Sequence, residues 1–189
     1  MIPGKLTARL LALALALFVL AMPLVTLPAR AATAAEIDAA VDATLATFRK
    51  EVKGADDYLK GASGVLVMPS VKKIGFVVGG QWGEGALRIG GKTVDYYKME
   101  VGSVGFQAGY QKASFVFLFL TQDVLDKFRA ENQWTAGVEG GITVVDAGFG
   151  GSLDTLKSKN SMVLFLLDRE GLAAGWSAKG TRFSKMKPQ

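Results

Sequence analysis

The chain has 189 residues, half of them hydrophobic, with 23 glycines, a formal net charge of +5 at pH 7, and neither cysteine nor histidine. This length suits one domain with a sizeable core. A chain without His and Cys has no imidazole base, thiolate nucleophile, disulfide or usual zinc or iron–sulfur ligand, so we expect a non-catalytic protein with no cofactor and no metal.

The first 31 residues are typical of a secretory signal peptide. Lys5 and Arg9 precede an apolar run at 10–21, and the small-residue pattern Ala29-Arg30-Ala31 follows it. The run has twelve residues, whereas a helix that spans a bilayer needs roughly 20. We expect cleavage after Ala31 and a periplasmic or secreted protein; an uncleaved N-terminal anchor is the alternative, because residues 24–27 lengthen the apolar stretch.

Removal of residues 1–31 would change the charge balance of the working protein. It leaves 19 basic and 17 acidic side chains. We therefore expect no nucleic-acid partner, because such partners are recognised by strongly basic surfaces. The remaining excess of positive charge lies at the C-terminus, where we predict a basic tail at 182–189.

The chain after residue 31 opens with a predicted amphipathic helix. Thr33-Ala34-Ala35-Glu36 fits a capping box, and seven apolar residues then recur at steps of three and four. The seven are Ile37, Val41, Leu45, Phe48, Val52, Ala55 and Leu59. We predict one continuous helix that ends at Gly61 and packs this stripe on the domain.

From Gly64 onward, short β-branched and aromatic runs separated by glycine predict strands. The predicted strands are 65–68, 74–78, 86–89, 93–99, 104–110, 114–120, 142–145, 162–167 and 172–177. Two runs, 115–120 and 162–167, are apolar throughout and should be central strands buried on both faces. Thr121 is expected to cap a short second helix at 123–131, and 154–160 to form a polar connection. The predicted fold class is α+β, a glycine-rich antiparallel β-sandwich or barrel with an N-terminal amphipathic helix and a short second helix.

The glycines repeat as Gly-x-x-x-Gly at 75–79, 105–109 and 137–141. In a membrane helix this spacing lets two backbones approach closely, but polar and charged residues interrupt each copy here. We therefore interpret the glycines as strand positions where the chain bends, bulges or meets another backbone. A glycine-zipper membrane protein is the less favoured alternative.

Three motifs that suggest catalysis lack their required neighbours. Ser70-Val71-Lys72-Lys73 has the S-x-x-K spacing of serine acyltransferases without their companion motifs, so we predict a turn with exposed lysines. Gly91-Lys92-Thr93 lacks the earlier glycine of a phosphate-binding loop, and Gly90-Gly91 instead predicts a hairpin turn. The pair Asp56-Asp57 lacks the acid spacing of a calcium loop.

Several ordered segments resemble the SYLF lipid-binding domain family. They are 62–71, 75–80 and 83–85 for its opening signature, 101–109 for its middle signature and 171–177 for its closing signature. The resemblance runs from about residue 36 to residue 181. Within the family, the chain is most similar to bacterial exported members. It divides the chain into a signal peptide at 1–31, a SYLF-like domain at 32–181 and the basic tail at 182–189.

The resemblance implies a membrane-associated module. Eukaryotic relatives bind phosphoinositides and, in yeast, actin, whereas phospholipid binding is the leading proposal for exported bacterial relatives. An exported protein would not meet actin, so the implied partner is an anionic phospholipid such as phosphatidylglycerol or cardiolipin. In the eukaryotic relatives an N-terminal amphipathic helix with nearby lysines contacts lipid. The corresponding lipid-binding residues here are Phe48, Lys50, Val52, Lys53, Lys60, Lys72 and Lys73.

Two other functions remain open on the sequence. One is a structural or protein-interaction domain of the cell envelope, with an exposed strand edge or apolar patch as the binding surface. The other is a carrier that holds a lipid tail inside the β core.

Overall fold

A computed structural model describes residues 32–75, 78–104, 109–136, 141–145, 148, 151–159, 161–170 and 180–189. The predicted signal peptide at 1–31 and the predicted strand at 172–177 lie outside the described residues. Most of the glycine repeats at 105–109 and 137–141 lie outside them as well. Residues 32–189 belong to one compact unit.

One eight-stranded sheet organises the domain. Its strands are β1 Gly64–Gly75, β2 Val78–Ile89, β3 Lys92–Val104, β4 Gly109–Phe119, β5 Gln133–Thr135, β6 Thr143–Val145, β7 Met162–Glu170 and β8 Arg182–Met186. They lie side by side in the order β5-β8-β3-β2-β1-β4-β7-β6, and only the β6–β7 pair is parallel. The sheet curls into a half-barrel, so the α+β class predicted from the sequence is confirmed.

Four described helices lie against the sheet. They are α1 Ala34–Glu51, α2 Ala55–Gly61, α3 Gln122–Ala130 and α4 Leu153–Lys159. The predicted capping box is present at the start of α1, where the Thr33 hydroxyl accepts a hydrogen bond from the backbone N–H of Glu36 at 3.3 Å. No described helix is long and apolar enough to cross a bilayer.

Each face of the sheet carries its own apolar core. On the α1 face, Val65 and Val67 pack with buried residues of α1, α2 and α4. On the α3 face, Leu66 and Met68 pack with buried residues of α3. Because successive residues of a strand point to opposite faces, a strand buried on both sides needs an unbroken apolar run. The prediction that 115–120 and 162–167 are central strands is therefore confirmed, since every residue in both runs is buried.

Helix α1 crosses one end of the long strands. Near its start, Asp38 accepts hydrogen bonds from Thr93 at 2.6 Å and Tyr96 at 2.9 Å, both on β3. Near its end, the Phe48 ring meets the Phe165 ring of β7 edge to face at 5.1 Å. The helix therefore crosses the sheet from β3 over β2, β1 and β4 to β7. It lies over the ends of these strands at which Thr93, Tyr96 and Phe165 are found.

The predicted single N-terminal helix is broken in two, which corrects the sequence expectation. Helix α1 ends at Glu51, and Gly54 caps α2 with a φ of +81°. That backbone conformation suits glycine, which has no Cβ to clash with the chain. The apolar stripe continues through the break, since Val52 and Tyr58 are both buried.

The turn predicted at residues 70–73 is also wrong, because β1 continues through it. The pairing of β1 with β4 shifts between Met68 and Val71, and its pairing with β2 shifts between Val67 and Lys72, as in a β-bulge. Here the backbones of β1 and β2 approach so closely that a Cβ on Gly85 would lie 1.9 Å from the Val67 carbonyl oxygen. The interpretation of the glycines as close-approach positions therefore holds at Gly85. The hairpin turn predicted at Gly90-Gly91 is present, with φ angles of +58° and +79°.

Four elements were missed or placed wrongly from the sequence. The segment predicted as a polar connection at 154–160 forms most of α4. The segment predicted as a basic tail at 182–189 contains β8, whose Phe183 is only 1% exposed. Short β5 pairs with β8 and was not predicted. The segment 104–110 was predicted as one strand, but residue 104 belongs to β3 and residues 109 and 110 belong to β4.

Candidate functional site

The long strands extend past α1, and this uncovered part of the α1 face carries the candidate site. On β1, Val65 and Val67 lie under the helices, whereas Lys72 and Ile74, beyond the bulge, are exposed. The bulge adds a residue to the strand and resets its alternation. Two side chains of opposite character thus emerge next to each other on one face.

The neighbouring strands extend this surface on both sides. Lys72 is the direct partner of Trp82 on β2 and of Lys112 on β4, and Ile74 is the direct partner of Tyr110. Direct partners in an antiparallel ladder have Cβ atoms about 5 Å apart. These five residues therefore form one contiguous surface, which we call the sheet patch.

The apolar members of the sheet patch are strongly exposed. Trp82 is 42% exposed, Ile74 49% and Tyr110 53%. They are three of the five large hydrophobic side chains that are exposed among the described residues. Single exposed apolar residues are ordinary, but a cluster of three on adjacent strands indicates a binding surface.

The sheet patch is cationic. Neither Lys72 nor Lys112 forms an ion pair with a carboxylate in the part of the chain that the structure describes. Two acids border the patch in the ladder: Glu100, the direct partner of Trp82, lies 3.5 Å from the Lys98 amine, and Glu170 of β7 is the direct partner of Lys112. No described ion pair involves the Lys72 or the Lys112 amine, so both can interact with an anion outside the chain.

Two of the predicted lipid-binding residues, Phe48 and Val52, are buried in the core. Phe48 is 0% exposed and Val52 2%. They belong to the stripe that faces the sheet, so their apolar surface is already covered by the domain. Their role as lipid contacts stays a prediction, and it would require these two side chains to leave the core.

The predicted lysines are dispersed. Lys50 and Lys53 are exposed at the corner between α1 and α2, where Glu51 and an Arg49–Asp56 ion pair of 3.0 Å mix the charges, and Lys60 is exposed on α2. Lys72 lies in the sheet patch. Its neighbour Lys73 points to the opposite face and is 8% exposed, and this burial lowers the pKa of its amine. Of the five predicted lysines, Lys50 and Lys53 line the same surface hollow.

Four members of the sheet patch were missed from the sequence: Ile74, Trp82, Tyr110 and Lys112. The available signal was the i, i+2 spacing of Lys72 with Ile74 and of Tyr110 with Lys112. That signal does not reveal which strands are neighbours. Among the described residues, no three acidic side chains are close enough to hold a metal ion.

The fold and the sheet patch together define a class of protein: an α+β domain with one curled, mainly antiparallel sheet that presents a cationic apolar surface. Residues 100–188 match the family model Ysc84, described as Las17-binding protein actin regulator. This match confirms the SYLF resemblance: the matched segment is similar to the Ysc84 (SYLF) domain, a family associated with lipid-related and actin-related binding. No curated protein matches the chain.

Proposed function

We propose that this protein is a non-catalytic lipid-binding domain of the bacterial cell envelope that docks on anionic phospholipid through the sheet patch. One observation carries the proposal: three exposed apolar side chains and two lysines that form no described ion pair share one contiguous face. The family association with lipid binding supports it independently.

The residue types of the sheet patch suit the boundary between water and lipid. Trp and Tyr prefer the headgroup level of a bilayer, because their rings are apolar at one end and polar at the other. A lysine near an anionic membrane surface contributes about 1 kcal/mol of attraction, which salt screens. Lys72 and Lys112 would hold phosphate groups at the level where Trp82 and Tyr110 insert.

The lipid partner follows from the proposed location. The N-terminal 31 residues have the pattern of a signal peptide, so the working protein would meet bacterial envelope lipids. The anionic lipids proposed there are phosphatidylglycerol and cardiolipin. Actin regulation, which the family description names, is not proposed for an exported protein.

Vesicle flotation tests the proposal. Protein purified from the exported fraction of its native cells is mixed with vesicles of phosphatidylcholine, alone or with one third phosphatidylglycerol. We expect binding to the anionic vesicles that weakens as salt is raised from 50 to 300 mM. Equal binding to both vesicle types would contradict the proposal, as would recovery with a single stoichiometric protein partner and no vesicle binding.

A further inference from the structure

Two lysines of the sheet patch face each other across adjacent strands. Lys72 of β1 and Lys112 of β4 are direct partners, so their Cβ atoms are about 5 Å apart. Like charges directly opposite each other in a sheet repel and destabilise the pairing. Among the described residues, neither amine forms an ion pair that would offset this repulsion. An anion bound between the two amines would therefore relieve it.

The bulge in β1 is what turns Lys72 toward Lys112. Met68, before the bulge, and Val71, three residues later, pack in the same core on the α3 face. In a regular strand, residues three apart point to opposite faces. The bulge therefore brings Lys72 onto the α1 face, and bulges commonly re-aim a side chain beside a binding site.

The row of direct partners that contains the two lysines has a positive region only two residues wide. The row runs Glu100, Trp82, Lys72, Lys112 and Glu170, on β3, β2, β1, β4 and β7. An acid occupies the ladder position at each end. The row is thus suited to two adjacent negative charges and less suited to a longer polyanion, which would meet an acid at either end.

The apolar residues of the sheet patch set both amines at one depth. Ile74 and Tyr110 are also direct partners, two residues or about 7 Å along the strands from the lysine pair. Direct partners are level with each other along the strands. When Ile74 and Tyr110 enter the apolar boundary of a membrane, both amines therefore lie at the same height above it, where two phosphates side by side could meet them.

We propose that the Lys72–Lys112 pair selects membrane lipids whose headgroup carries two phosphates, as that of cardiolipin does, over lipids with one. This inference rests on the proposed docking function and names the headgroup that the sheet patch prefers. A headgroup with two phosphates can meet both amines at once, because its second phosphate is held beside the first. Two lipids with one phosphate each would have to be gathered at the pair, which costs them lateral freedom.

Flotation at matched charge tests the preference. One vesicle type contains phosphatidylcholine with one third phosphatidylglycerol, and the other contains it with one sixth cardiolipin, so that both carry the same number of anionic phosphates. We expect about fivefold tighter binding to the cardiolipin vesicles, as one added lysine–phosphate contact would supply. Equal binding to these two vesicle types, above that to phosphatidylcholine alone, would overturn the inference and leave the docking function intact. Binding no tighter than to phosphatidylcholine alone would contradict both.

Variants that fold as the wild type does, judged by circular dichroism, assign the preference to the pair. Lys112→Gln should reduce it to less than about twofold, whereas Lys112→Arg, which keeps the charge, should retain it. Lys98→Gln is the matched control, because it removes one charge from the same face of the sheet but outside the pair. It should leave the ratio of the two affinities unchanged.

Two results with these variants would overturn the role of the pair. A cardiolipin preference that persists in Lys112→Gln would come from the packing of the cardiolipin bilayer rather than from the two amines. Loss of the preference in Lys98→Gln would show that the total charge of the face sets it.

Discussion

Lys72 and Trp82 are direct partners on adjacent strands, and both side chains are exposed on the part of the α1 face that the helix does not cover. An exposed indole beside an ammonium group is suited to a surface that is both apolar and anionic. The strand backbones hold this pair in place, so docking would not require a folding step.

Substitutions in the sheet patch should weaken binding to anionic vesicles. Trp82→Ala removes a half-buried indole and should cost about 1–2 kcal/mol, or about tenfold in affinity. Lys72→Gln should cost about 1 kcal/mol, or about fivefold, and only at low salt. Flotation with phosphatidylglycerol vesicles measures both effects.

Lys53→Gln provides the matched control, because it removes one exposed charge from the α1–α2 corner. It should leave vesicle binding within twofold of the wild type. If Lys53→Gln weakens binding more than Lys72→Gln does, the docking surface is the helix corner that the family resemblance implied.

Phe48 is expected to matter for stability. Phe48→Ala removes a fully buried ring that packs against Phe165, and should lower the free energy of unfolding by about 3–5 kcal/mol. Urea unfolding followed by circular dichroism measures the loss. The conservative Phe48→Leu variant should fold and bind vesicles as the wild type does; weaker binding by that folded variant would identify Phe48 as a lipid contact.

Gly85 should not tolerate a side chain. A Cβ there would lie 1.9 Å from the Val67 carbonyl oxygen, so Gly85→Ala forces β1 and β2 apart and should cost about 3 kcal/mol. Gly102→Ala is the control, since nothing lies within 4 Å of its Cβ, and it should change stability by less than about 0.5 kcal/mol. Equal melting temperatures of the two variants would argue against the close approach at the bulge.

Asp38 should make the free energy of unfolding depend on pH in the acidic range. Burial opposes ionisation of its carboxyl group, but hydrogen bonds from Thr93 and Tyr96 and the charge of Arg88 outweigh it and lower the pKa. A lowered pKa in the folded state means that the carboxylate stabilises the fold above the ordinary Asp pKa of about 4, and that this contribution is lost as the pH falls through the folded value.

Asp38→Asn should therefore lower stability at pH 7 by about 1–3 kcal/mol and flatten its decline between about pH 4 and pH 2. Urea unfolding at a series of pH values measures the slope. Asp123→Asn, on the exposed surface of α3, should keep the wild-type profile. An unchanged acid slope in Asp38→Asn would show that other groups cause the decline.

The C-terminal segment should be needed for folding. A chain that ends at Gly180 loses β8, which lies between β3 and β5, and the buried ring of Phe183 with it. We expect its thermal unfolding transition to be lost or lowered by more than 10 °C. A chain that ends at Met186 keeps the whole strand and should unfold as the wild type does. Two indistinguishable melting curves would mean that β8 adds no stability.

Local patterns predicted much of the fold. The Thr33 capping box, the Gly90-Gly91 turn and the all-apolar central strands each depend on neighbours within a few residues, and each is present. The turn predicted at residues 70–73 failed because the bulge in β1 is stabilised from other strands. Within it, the Pro69 carbonyl lies 2.9 Å from the Ser114 hydroxyl of β4.

The sequence by itself determined the α+β class and the SYLF resemblance, because periodicity, turn residues and motifs are properties of the chain order. The site was decided by the tertiary structure. Strand register places Lys72 between Trp82 and Lys112, and the path of α1 buries Phe48 while it leaves Ile74 and Tyr110 uncovered. Pairing between strands and the coverage of a face depend on contacts between distant parts of the chain, which local sequence patterns do not specify.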